Sequence, residues 1–398
     1  MYNFELYLDD IINIKDVKKG ENGLRFLDIP LHLLVIGLSV LISFAYLFFS
    51  KRRYLDVEDI KSVENAQENG FSISVIIPAR NEESNIGKIL SLLNLQTVKP
   101  YEVIVVDDDS TDRTAEIVKT FQNDNKDIKL ISLKEEPPEG WVGKSWAIWN
   151  GYKYSSGDIL IFMDADVEPG EKTLEALVSK YRRYGGLISV WPYQRFEKFY
   201  EHLNLVFNLV VTYAGNMLGF PSKMPVGAFG PVILTSRKDY EKTGGHVTIK
   251  DSVLEDIKLG KLYVESGIRV TNLLGNSIVK FRMYPNGFRQ LFEGFSKNMS
   301  SGAISGGVLN FLIALIWLSG FYSSFASFNM PLGYVVLRYT GFAIIVYLLS
   351  KPIGDYKWYD AIIYPLHFIF FAVVFLYSLY KTTILKKVTW RGREIKIK

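Results

Sequence analysis

Apolar stretches lie near both ends of the chain and enclose a more polar middle. Residues 31–50 contain no Asp, Glu, Lys or Arg, and about 20 helical residues rising about 1.5 Å each cover about 30 Å, the thickness of the hydrocarbon core of a bilayer. We expect an uncleaved membrane helix here rather than a signal peptide, because 30 residues precede the run and no small-residue cleavage site follows it. The basic residues 51–53 place the following chain in the cytoplasm.

Three more apolar runs occur in the C-terminal quarter, at about 303–325, 332–349 and 361–380. If all three cross the membrane, the basic tail 386–398 ends outside the cell, which contradicts the positive-inside rule that oriented the first helix. Either one run, such as the second with Arg338, is re-entrant or interfacial, or the tail is an exception. The sequence predicts two or three C-terminal spans and leaves their number open.

The middle of the chain, residues 72–300, has the pattern of an α/β domain. β-Branched runs of strand length occur at 73–78, 102–108 and 159–166, and they are nearly continuous in apolar character, as strands covered on both faces are. Helical spacing follows the first two runs, at Ile86, Ile89, Leu90 and Leu93, and then, after Ser110 and Thr111 as capping residues, at Thr114, Ile117, Val118 and Phe121. This alternation predicts a parallel sheet with ligands at the carboxyl ends of its strands.

These patterns divide the chain into six parts. They are an N-terminal extension (1–30), a membrane helix (31–50), a linker (51–71), the α/β domain (72–300), C-terminal membrane helices (301–385) and a basic tail (386–398).

Composition narrows the possible functions. A hydrophobic fraction of 48%, with 24 Tyr and 26 Phe, supports a membrane component. The net charge of +4 is small, and no basic run is interleaved with aromatic residues, so nucleic acid is not expected as a partner. The absence of Cys excludes disulfides and thiolate sites, and four scattered His argue against a zinc site. Any bound metal should therefore have oxygen ligands.

Acidic residues follow two of the predicted strands. Asp107, Asp108 and Asp109 end the second run, and Asp164 and Asp166 end the later one. Single aspartates after strands are often only turn formers. Five carboxylates at one edge of a sheet repel one another, however, and a divalent cation such as Mg²⁺ or Mn²⁺ relieves that repulsion. Since such a cation shares its coordination with phosphates, we expect a phosphate-bearing ligand.

Four motifs in order resemble a known family. "VIIPARNEE" (75–83), "VVDDDSTD" (105–112), "DAD" (164–166) and "LED" (254–256) are similar to those of the nucleotide-sugar-dependent glycosyltransferases of family 2, which have the GT-A fold. "GWVGKSWA" (140–147) and "RMYPNGFRQLFEGFSKN" (282–298) resemble the membrane branch that includes carotenoid-acid (4,4'-diaponeurosporenoate) and hopene-associated glycosyltransferases. The resemblance implies an α/β GT-A domain that transfers a sugar from a nucleotide diphosphate to a lipid or isoprenoid acceptor.

The resemblance also implies roles for individual residues. The residues expected to hold the nucleoside are Pro78, Arg80, Glu82, Asp107 and Asp108. Asp109 stands where the family more often has Gly, which leaves open which of the three aspartates contacts the nucleoside. Lys144 is expected near the ribose or phosphate, with a solvated surface lysine as the alternative. Asp164 and Asp166 are expected to present the cation to the diphosphate.

The family's general base corresponds to Asp256, with Glu255 beside it. An ordinary amphipathic helix with an exposed acidic turn is the alternative interpretation. The Gln-x-x-Arg-Trp motif of processive synthases is missing from the region after the base, so a single transfer is favoured. The basic residues of that region, Arg282, Arg289 and Lys297, either bind the diphosphate or lie at the lipid headgroups, and the sequence does not separate these alternatives.

Residues 203–220 carry no charge over 18 positions. An interfacial helix or a lid that brings a lipid acceptor to the sugar is favoured, and a buried core helix is the alternative. The glycine-rich stretch 300–307 is interpreted as a hinge into the membrane helices. The sequence thus predicts a multi-pass membrane enzyme with a cytoplasmic catalytic domain. Its rivals are a transferase that glycosylates a polyprenyl phosphate and a non-catalytic membrane scaffold.

Overall fold

The computed structural model describes residues 31–57, 71–219, 225, 227–296, 299, 307–326, 330–385, 387–390 and 393–396. The N-terminal extension 1–30, most of the linker, the stretch 300–306, Lys297 and parts of the basic tail lie outside the described residues. The expectations for those segments therefore stay predictions.

Among the described residues, ten strands build the sheets of the α/β domain. They are β1 (Ile73–Ala79), β2 (Glu102–Asp108), β3 (Ile128–Leu133), β4 (Ile159–Met163), β5 (Val167–Pro169), β6 (Leu187–Trp191), β7 (Tyr193–Gln194), β8 (Val232–Ser236), β9 (Val270–Leu274) and β10 (Val279–Phe281). The central seven-stranded sheet has the order β3-β2-β1-β4-β8-β6-β9, and β5, β10 and β7 form a small second sheet.

The central sheet is mixed, whereas the sequence predicts a parallel one. β8 runs antiparallel to both β4 and β6. The reason is visible just before β8, where the Asp164 N–H donates to the Pro231 carbonyl at 2.9 Å. The chain thus enters β8 from the carboxyl edge of β4 and must run in the opposite direction.

Fourteen helices are present among the described residues. They are α1 (Leu31–Phe49), α2 (Ile86–Asn94), α3 (Thr114–Asp124), α4 (Gly143–Tyr154), α5 (Thr173–Tyr184), α6 (Leu205–Leu209), α7 (Arg237–Thr243), α8 (Gly245–Thr248), α9 (Glu255–Glu265), α10 (Phe288–Ser296), α11 (Val308–Ala326), α12 (Leu332–Ser350), α13 (Trp358–Ile362) and α14 (Tyr364–Tyr380). A 3₁₀ helix (Phe199–Asn204) precedes α6, π-helical turns (Val210–Ala214 and Lys381–Leu385) follow α6 and α14, and the tail forms a hairpin of β11 (Lys387–Trp390) and β12 (Arg393–Lys396).

The predicted helix α2 is confirmed, and its four periodic apolar residues are all buried. The predicted caps of α3 are wrong. Asp112 Oδ1 accepts a hydrogen bond from the N–H of Thr114 at 3.0 Å, while Ser110 and Thr111 instead bind Asn81 in the neighbouring loop. Those two residues hold Asn81 instead of capping the helix, which begins at Thr114, the first residue of the predicted helical pattern.

The central sheet is covered on both faces, as its continuous apolar strands predict. One face buries alternate strand residues such as Ile77, Val105 and Ile161, and the other face buries the residues between them, such as Ile76 and Ile104. Full burial of an aliphatic side chain of this size stabilises a fold by about 1.5–3 kcal/mol. β1 pairs in parallel with β2 on one side and β4 on the other, so their carboxyl ends share one edge.

A buried carboxylate fastens the opposite edge of the sheet. Glu102 accepts hydrogen bonds from Ser74 Oγ and from Lys129 Nζ, both at 2.6 Å, and from the N–H of Ser156 at 2.7 Å. Burial by itself raises the pKa of Glu102, but these hydrogen bonds and the charge of Lys129 outweigh it and lower the pKa to about 2.

In the part of the chain that the structure describes, four helices are long and apolar enough to cross a membrane: Leu31–Phe49, Val308–Ala326, Leu332–Ser350 and Tyr364–Ile384. The first two pack closely, since Ser39 Oγ donates to the Trp317 carbonyl at 2.7 Å and a Cβ on Gly320 would collide with Ser39. Arg338 is buried inside this group, where its Nε donates to the Ser324 carbonyl at 3.0 Å. Residues just after α1 join the α/β domain directly: Leu55 N–H donates to the Leu274 carbonyl at 2.8 Å.

The uncharged run 203–220 is a buried core element rather than a lid. Its described residues are buried or half-buried, and they pack among α11, α12 and α14. An aromatic pair fixes it in place, with Phe207 stacked on Phe295 at 4.0 Å between ring centroids. The expectation of a lid or an exposed interfacial helix is corrected, because the protein itself covers the apolar side chains that such an element would present to lipid.

Candidate active site

The first two motifs meet in two interlocked loops at the carboxyl edge of the sheet. Arg80 Nη1 donates to the Asp108 carbonyl and lies 3.7 Å from Asp108 Oδ2. The N–H of Glu82 donates to Thr114 Oγ1 at 2.8 Å, and its carboxylate accepts from Asn85 Nδ2 at 2.8 Å. Glu82 therefore fastens the start of α2, in addition to any contact that it makes with a ligand.

The acidic triplet separates into two buried residues and one exposed residue. Asp107 and Asp108 are 5% and 1% exposed, whereas Asp109 is exposed and has a φ of 55°. Positive φ favours glycine, which explains the glycine that the family commonly has at this place. Asp107 Oδ1 accepts from the Ser110 N–H at 3.2 Å. The loop thus holds Asp107 and Asp108 beside Arg80.

The later motifs meet around one lysine. Lys144, in the first turn of α4, places its Nζ 2.8 Å from Asp164 Oδ1 and 2.9 Å from Glu255 Oε1. The Lys144 side chain is 22% exposed, so it is not the solvated surface lysine of the alternative interpretation. Three elements far apart in sequence, α4, the β4–β5 turn and α9, thus converge on one charged cluster.

Asp256 lies against a glycine that the motifs did not indicate. A Cβ on Gly230 would lie 2.6 Å from Asp256 Oδ2, and a Cβ on Gly260 would collide with the backbone N of Ala228. The segment 227–231 therefore crosses α9 in direct contact with its backbone. Asp256 Oδ1 accepts a hydrogen bond from the N–H of Ile257 at 2.9 Å, which orients the carboxylate.

The charges of the cluster shift one another's protonation. Burial alone lowers the pKa of Lys144, but the carboxylates of Asp164, Glu255 and Asp256 raise it well above its ordinary value. Burial raises the pKa of Glu255, and the charge of Lys144 more than reverses this, so the pKa is lowered. Burial, with the adjacent charge of Glu255, raises the pKa of Asp256 to about 7. One carboxyl of the pair is therefore held ionised, and the other titrates near neutral pH.

A small cavity lies beside the charged cluster at the carboxyl edge of the sheet. Its lining includes Pro78, at the end of β1, together with Lys144, Asp164 and Asp256. His246, which sequence reasoning missed, also lines it. This imidazole is 1% exposed, its Nδ1 is 2.8 Å from the Tyr240 hydroxyl, and burial lowers its pKa to about 4.

Two basic residues of the C-terminal motif region have acidic partners. Arg282 contacts Glu201 and, at 2.7 Å, Glu197 Oε2. Arg289 is 91% exposed and pairs with Glu293 on α10 at 2.8 Å. Neither residue belongs to the cluster around Lys144, so these contacts favour neither of the two roles left open by the sequence.

The donor set of the DAD motif suits a hard cation. Asp164 and Asp166 are both half-buried, in the turn between β4 and β5, and carboxylate oxygens are the ligands that Mg²⁺ and Mn²⁺ prefer. In the described part of the chain, no three acidic or histidine side chains lie close enough together to hold a metal ion. A cation bound here would complete its coordination with water and the phosphates of a ligand.

The fold and the site define a glycosyltransferase with the GT-A fold. A mannosyltransferase from Pyrobaculum calidifontis, solved in complex with GDP-Man and Mn²⁺, superposes with a TM-score of 0.51 at 18% identity, covering 87% of this chain and 99% of that one, which shows the shared fold. The profile of "Glycosyl transferase family 2" matches residues 74–235. With the relatives below, this match shows that the chain belongs to glycosyltransferase family 2.

Two relatives align over almost their whole length. A 4,4'-diaponeurosporenoate glycosyltransferase of Staphylococcus haemolyticus (strain JCSC1435) is 35% identical over 375 residues, which are 91% of this chain and 97% of the relative. The protein of the same name from Staphylococcus aureus (strain MRSA252) is 33% identical over 88% of this chain and 94% of its own. The similarity therefore includes the apolar helices as well as the α/β domain.

Proposed function

We propose that the protein is a membrane-anchored, metal-dependent, inverting glycosyltransferase that moves one sugar from a UDP-linked donor to a lipid-like acceptor. The observation that carries this proposal is the convergence of Lys144, Asp164, Glu255 and Asp256 on one cavity at the carboxyl edge of the sheet. The four long apolar helices support membrane anchoring, and the basic residues after α1 support a cytoplasmic catalytic domain.

The donor lies along the edge of the sheet in this proposal. Pro78 and the interlocked loops of Arg80, Glu82, Asp107 and Asp108 hold the nucleoside, because carboxylates accept from base N–H and ribose hydroxyl groups. Lys144 exchanges its carboxylate partners for the negatively charged diphosphate. Asp164 and Asp166 would hold the divalent cation, which would supply positive charge against the negative charge of the departing nucleotide.

Asp256 is the proposed general base for a hydroxyl acceptor. A base works best when its pKa lies near the working pH, and a pKa of about 7 meets that condition. Glu255 positions Lys144 and stays ionised. The relatives are named for a carotenoid acid, and a carboxylate acceptor is already ionised and needs no base. Asp256→Asn should therefore abolish transfer to a hydroxyl but only weaken transfer to an acid; equal losses with both would contradict this division of roles.

The test is nucleotide release by detergent-purified protein from a panel of UDP- and GDP-sugars, with Mn²⁺ or EDTA and with carotenoid acids, polyisoprenoid alcohols or polyprenyl phosphates. We expect metal-dependent release with one donor, a new glycolipid by mass spectrometry, and loss of both in Asp166→Ala. A glycosylated lipid phosphate as the only product would instead support the polyprenyl-phosphate enzyme. No release and no donor binding by calorimetry would favour the scaffold.

A further inference from the structure

Contacts between the apolar helices fix their directions relative to one another. Along α1 and α11, Val35 lies beside Gly320, and Ser39 and Ser43 both bond to Trp317. Residue numbers rise along α1 as they fall along α11, so the two helices are antiparallel. Since α1 ends at the α/β domain, α11 leads away from it.

α12 leads back to the α/β domain. Its Arg338 and Phe342 contact Ser324 and Phe321 of α11, in the same antiparallel order. At its other end, the carbonyl of Leu349 accepts a hydrogen bond from the Tyr213 hydroxyl at 3.0 Å. α12 therefore ends on the same side as α1.

α14 also points toward the α/β domain, although α12 has already returned there. Tyr364, at its start, contacts Ser324 near the far end of α11, and Phe368 stacks on Phe321 with 5.0 Å between ring centroids. Further along, Tyr377 lies 5.3 Å from Phe292 of α10. α11 and α14 are thus antiparallel, and two consecutive long helices, α12 and α14, run in the same direction.

The segment 351–363 connects them without a long helix. It leaves α12 beside Gln194, whose N–H donates to the Ile353 carbonyl at 3.0 Å. It then reaches Tyr364 next to Tyr339, with 5.0 Å between the rings, and Tyr339 lies 11 residues, or about 16 Å, before the end of α12. The connection therefore descends along α12 instead of staying at the surface of the α/β domain.

Polar groups in this descending segment are buried by protein. Asp360 is 0% exposed, and its Oδ2 accepts from the Lys357 N–H at 2.7 Å and lies 2.8 Å from His202 Nδ1. Tyr356 is equally buried and bonds to Asn204 and Asn208 at 2.6 Å. Irregular backbone at membrane depth is tolerated only where protein covers it, and residues 194–208 provide that cover.

We propose that α14 does not cross the bilayer and is instead the returning arm of a re-entrant hairpin, residues 351–380, that enters from the side of the catalytic domain. The spans are then α1, α11 and α12. An exposed stripe on α14 at helical spacing (Leu366, Ile369, Val373 and Leu376) faces lipid, while the opposite face packs on protein.

The hairpin also accounts for the basic charges of the C-terminal tail, because it brings them to anionic lipid headgroups on the side of the catalytic domain. The tail 386–398 contains six Lys and Arg and one Glu. With α14 as the returning arm of the hairpin, the proposal puts this tail on the same side of the membrane as residues 51–53, in agreement with the positive-inside rule at both places. Each basic residue near anionic lipid headgroups contributes about 1 kcal/mol of attraction. The inference rests on the membrane anchoring proposed above, and it does not depend on the reaction.

The chain has no native Cys, so each introduced cysteine is the only thiol of the protein that a maleimide can label. Met330→Cys lies between α11 and α12, Lys153→Cys lies on the exposed surface of the α/β domain, and Lys398→Cys ends the tail. Cells that express each full-length variant are treated with a membrane-impermeant maleimide, before and after permeabilisation. We expect Met330→Cys to react in intact cells, and Lys153→Cys and Lys398→Cys to react only after permeabilisation.

Reaction of Lys398→Cys together with Met330→Cys in intact cells would overturn the hairpin and establish a fourth span. Reaction of Lys398→Cys together with Lys153→Cys in intact cells would keep the hairpin and overturn the cytoplasmic orientation of the catalytic domain. C-terminal reporter fusions give a second readout that does not depend on thiol access. A fluorescent GFP fusion with an inactive alkaline phosphatase fusion is expected, and the reverse pattern, with Lys153→Cys still protected in intact cells, would overturn the hairpin.

Discussion

Replacement of Gly230 by alanine is expected to slow transfer to hydroxyl acceptors without unfolding the protein. A Cβ on this residue would lie 2.6 Å from Asp256 Oδ2, whereas ordinary van der Waals contact begins at 3.4 Å. The carboxylate or the backbone of 227–231 must therefore move by about 0.8 Å, the difference between these two distances. Gly230 is not among the glycines with positive φ, so alanine imposes no backbone strain there.

The size of the effect follows from the sensitivity of a general base to its position. A misplacement of about 1 Å costs about 100-fold in rate. A shift of about 0.8 Å should thus lower kcat by about 10- to 100-fold, or about 1.4–2.7 kcal/mol of barrier at 1.36 kcal/mol per factor of ten. Because the Pro231 carbonyl accepts from the Asp164 N–H at 2.9 Å, a shift of the 227–231 backbone should also raise the KM for the donor, whereas a shift of the Asp256 carboxylate alone should not.

Hydrolysis of the donor is the assay, since water serves as a hydroxyl acceptor whatever the natural acceptor is. Gly87→Ala in α2 is the matched control, because its Cβ would make an ordinary 3.4 Å contact with Ile117. The control should keep its full rate. Unchanged kcat in Gly230→Ala, with a melting temperature equal to that of the control, would refute the placement of Asp256 as the base.

Three further predictions concern other parts of the molecule. Lys144→Met removes the ammonium that lowers the pKa of Asp256 in the free enzyme, so the pH profile of kcat/KM for hydrolysis, which we expect to rise through about pH 7 in the parent, should move to higher pH; an unmoved profile would contradict the coupling. Glu102 has a pKa of about 2 in the folded protein against an ordinary 4.5, so its contribution to stability is complete above pH 4.5 and is lost as the pH falls toward 2. Between pH 6 and pH 3, the free energy of unfolding from denaturant titrations should therefore fall less for Glu102→Gln than for the parent. Gly320→Leu should overpack α1 against α11, which costs about 1–3 kcal/mol of stability and should lower the melting temperature in detergent. Gly333→Leu is the control, because Gly333 has open space around it, and it should leave the melting temperature unchanged. Equal melting temperatures for the two variants would show that this packing is unimportant.

The parts of the fold that the sequence predicted are those with a local signature. β1, β2 and β4 are continuous apolar runs because both faces of the sheet are covered, and their acidic ends reach one edge because parallel neighbours share direction. Gly230 and His246 approach the site through contacts between distant segments, which leave no periodic trace. An uncharged run such as 203–220 has the same composition whether it faces lipid or a protein core, so its burial followed only from the tertiary structure.

The direction of β8 and the relative directions of the apolar helices were unpredictable for a related reason. A short strand pattern carries no direction, and the reversal at β8 depends on where Pro231 meets Asp164. Likewise, α14 has the length and apolar character of a span, and only its neighbours reveal which way it runs. Composition indicates whether a helix tolerates lipid, whereas the contacts show the direction in which it runs.

The hydrogen bonds between residues 53–55 and Leu274 leave almost no slack between α1 and the central sheet. A domain on a flexible tether samples many heights above a membrane. Here the end of β9 binds residues that follow the end of α1 by only a few positions, so the height of the domain relative to α1 is fixed. If α1 spans the bilayer as proposed, the distance from the bilayer surface to the cleft is fixed as well. With the proposed membrane anchoring, a lipid acceptor would have to project its reactive group from the bilayer by this fixed distance before any side chain could recognise its chemistry.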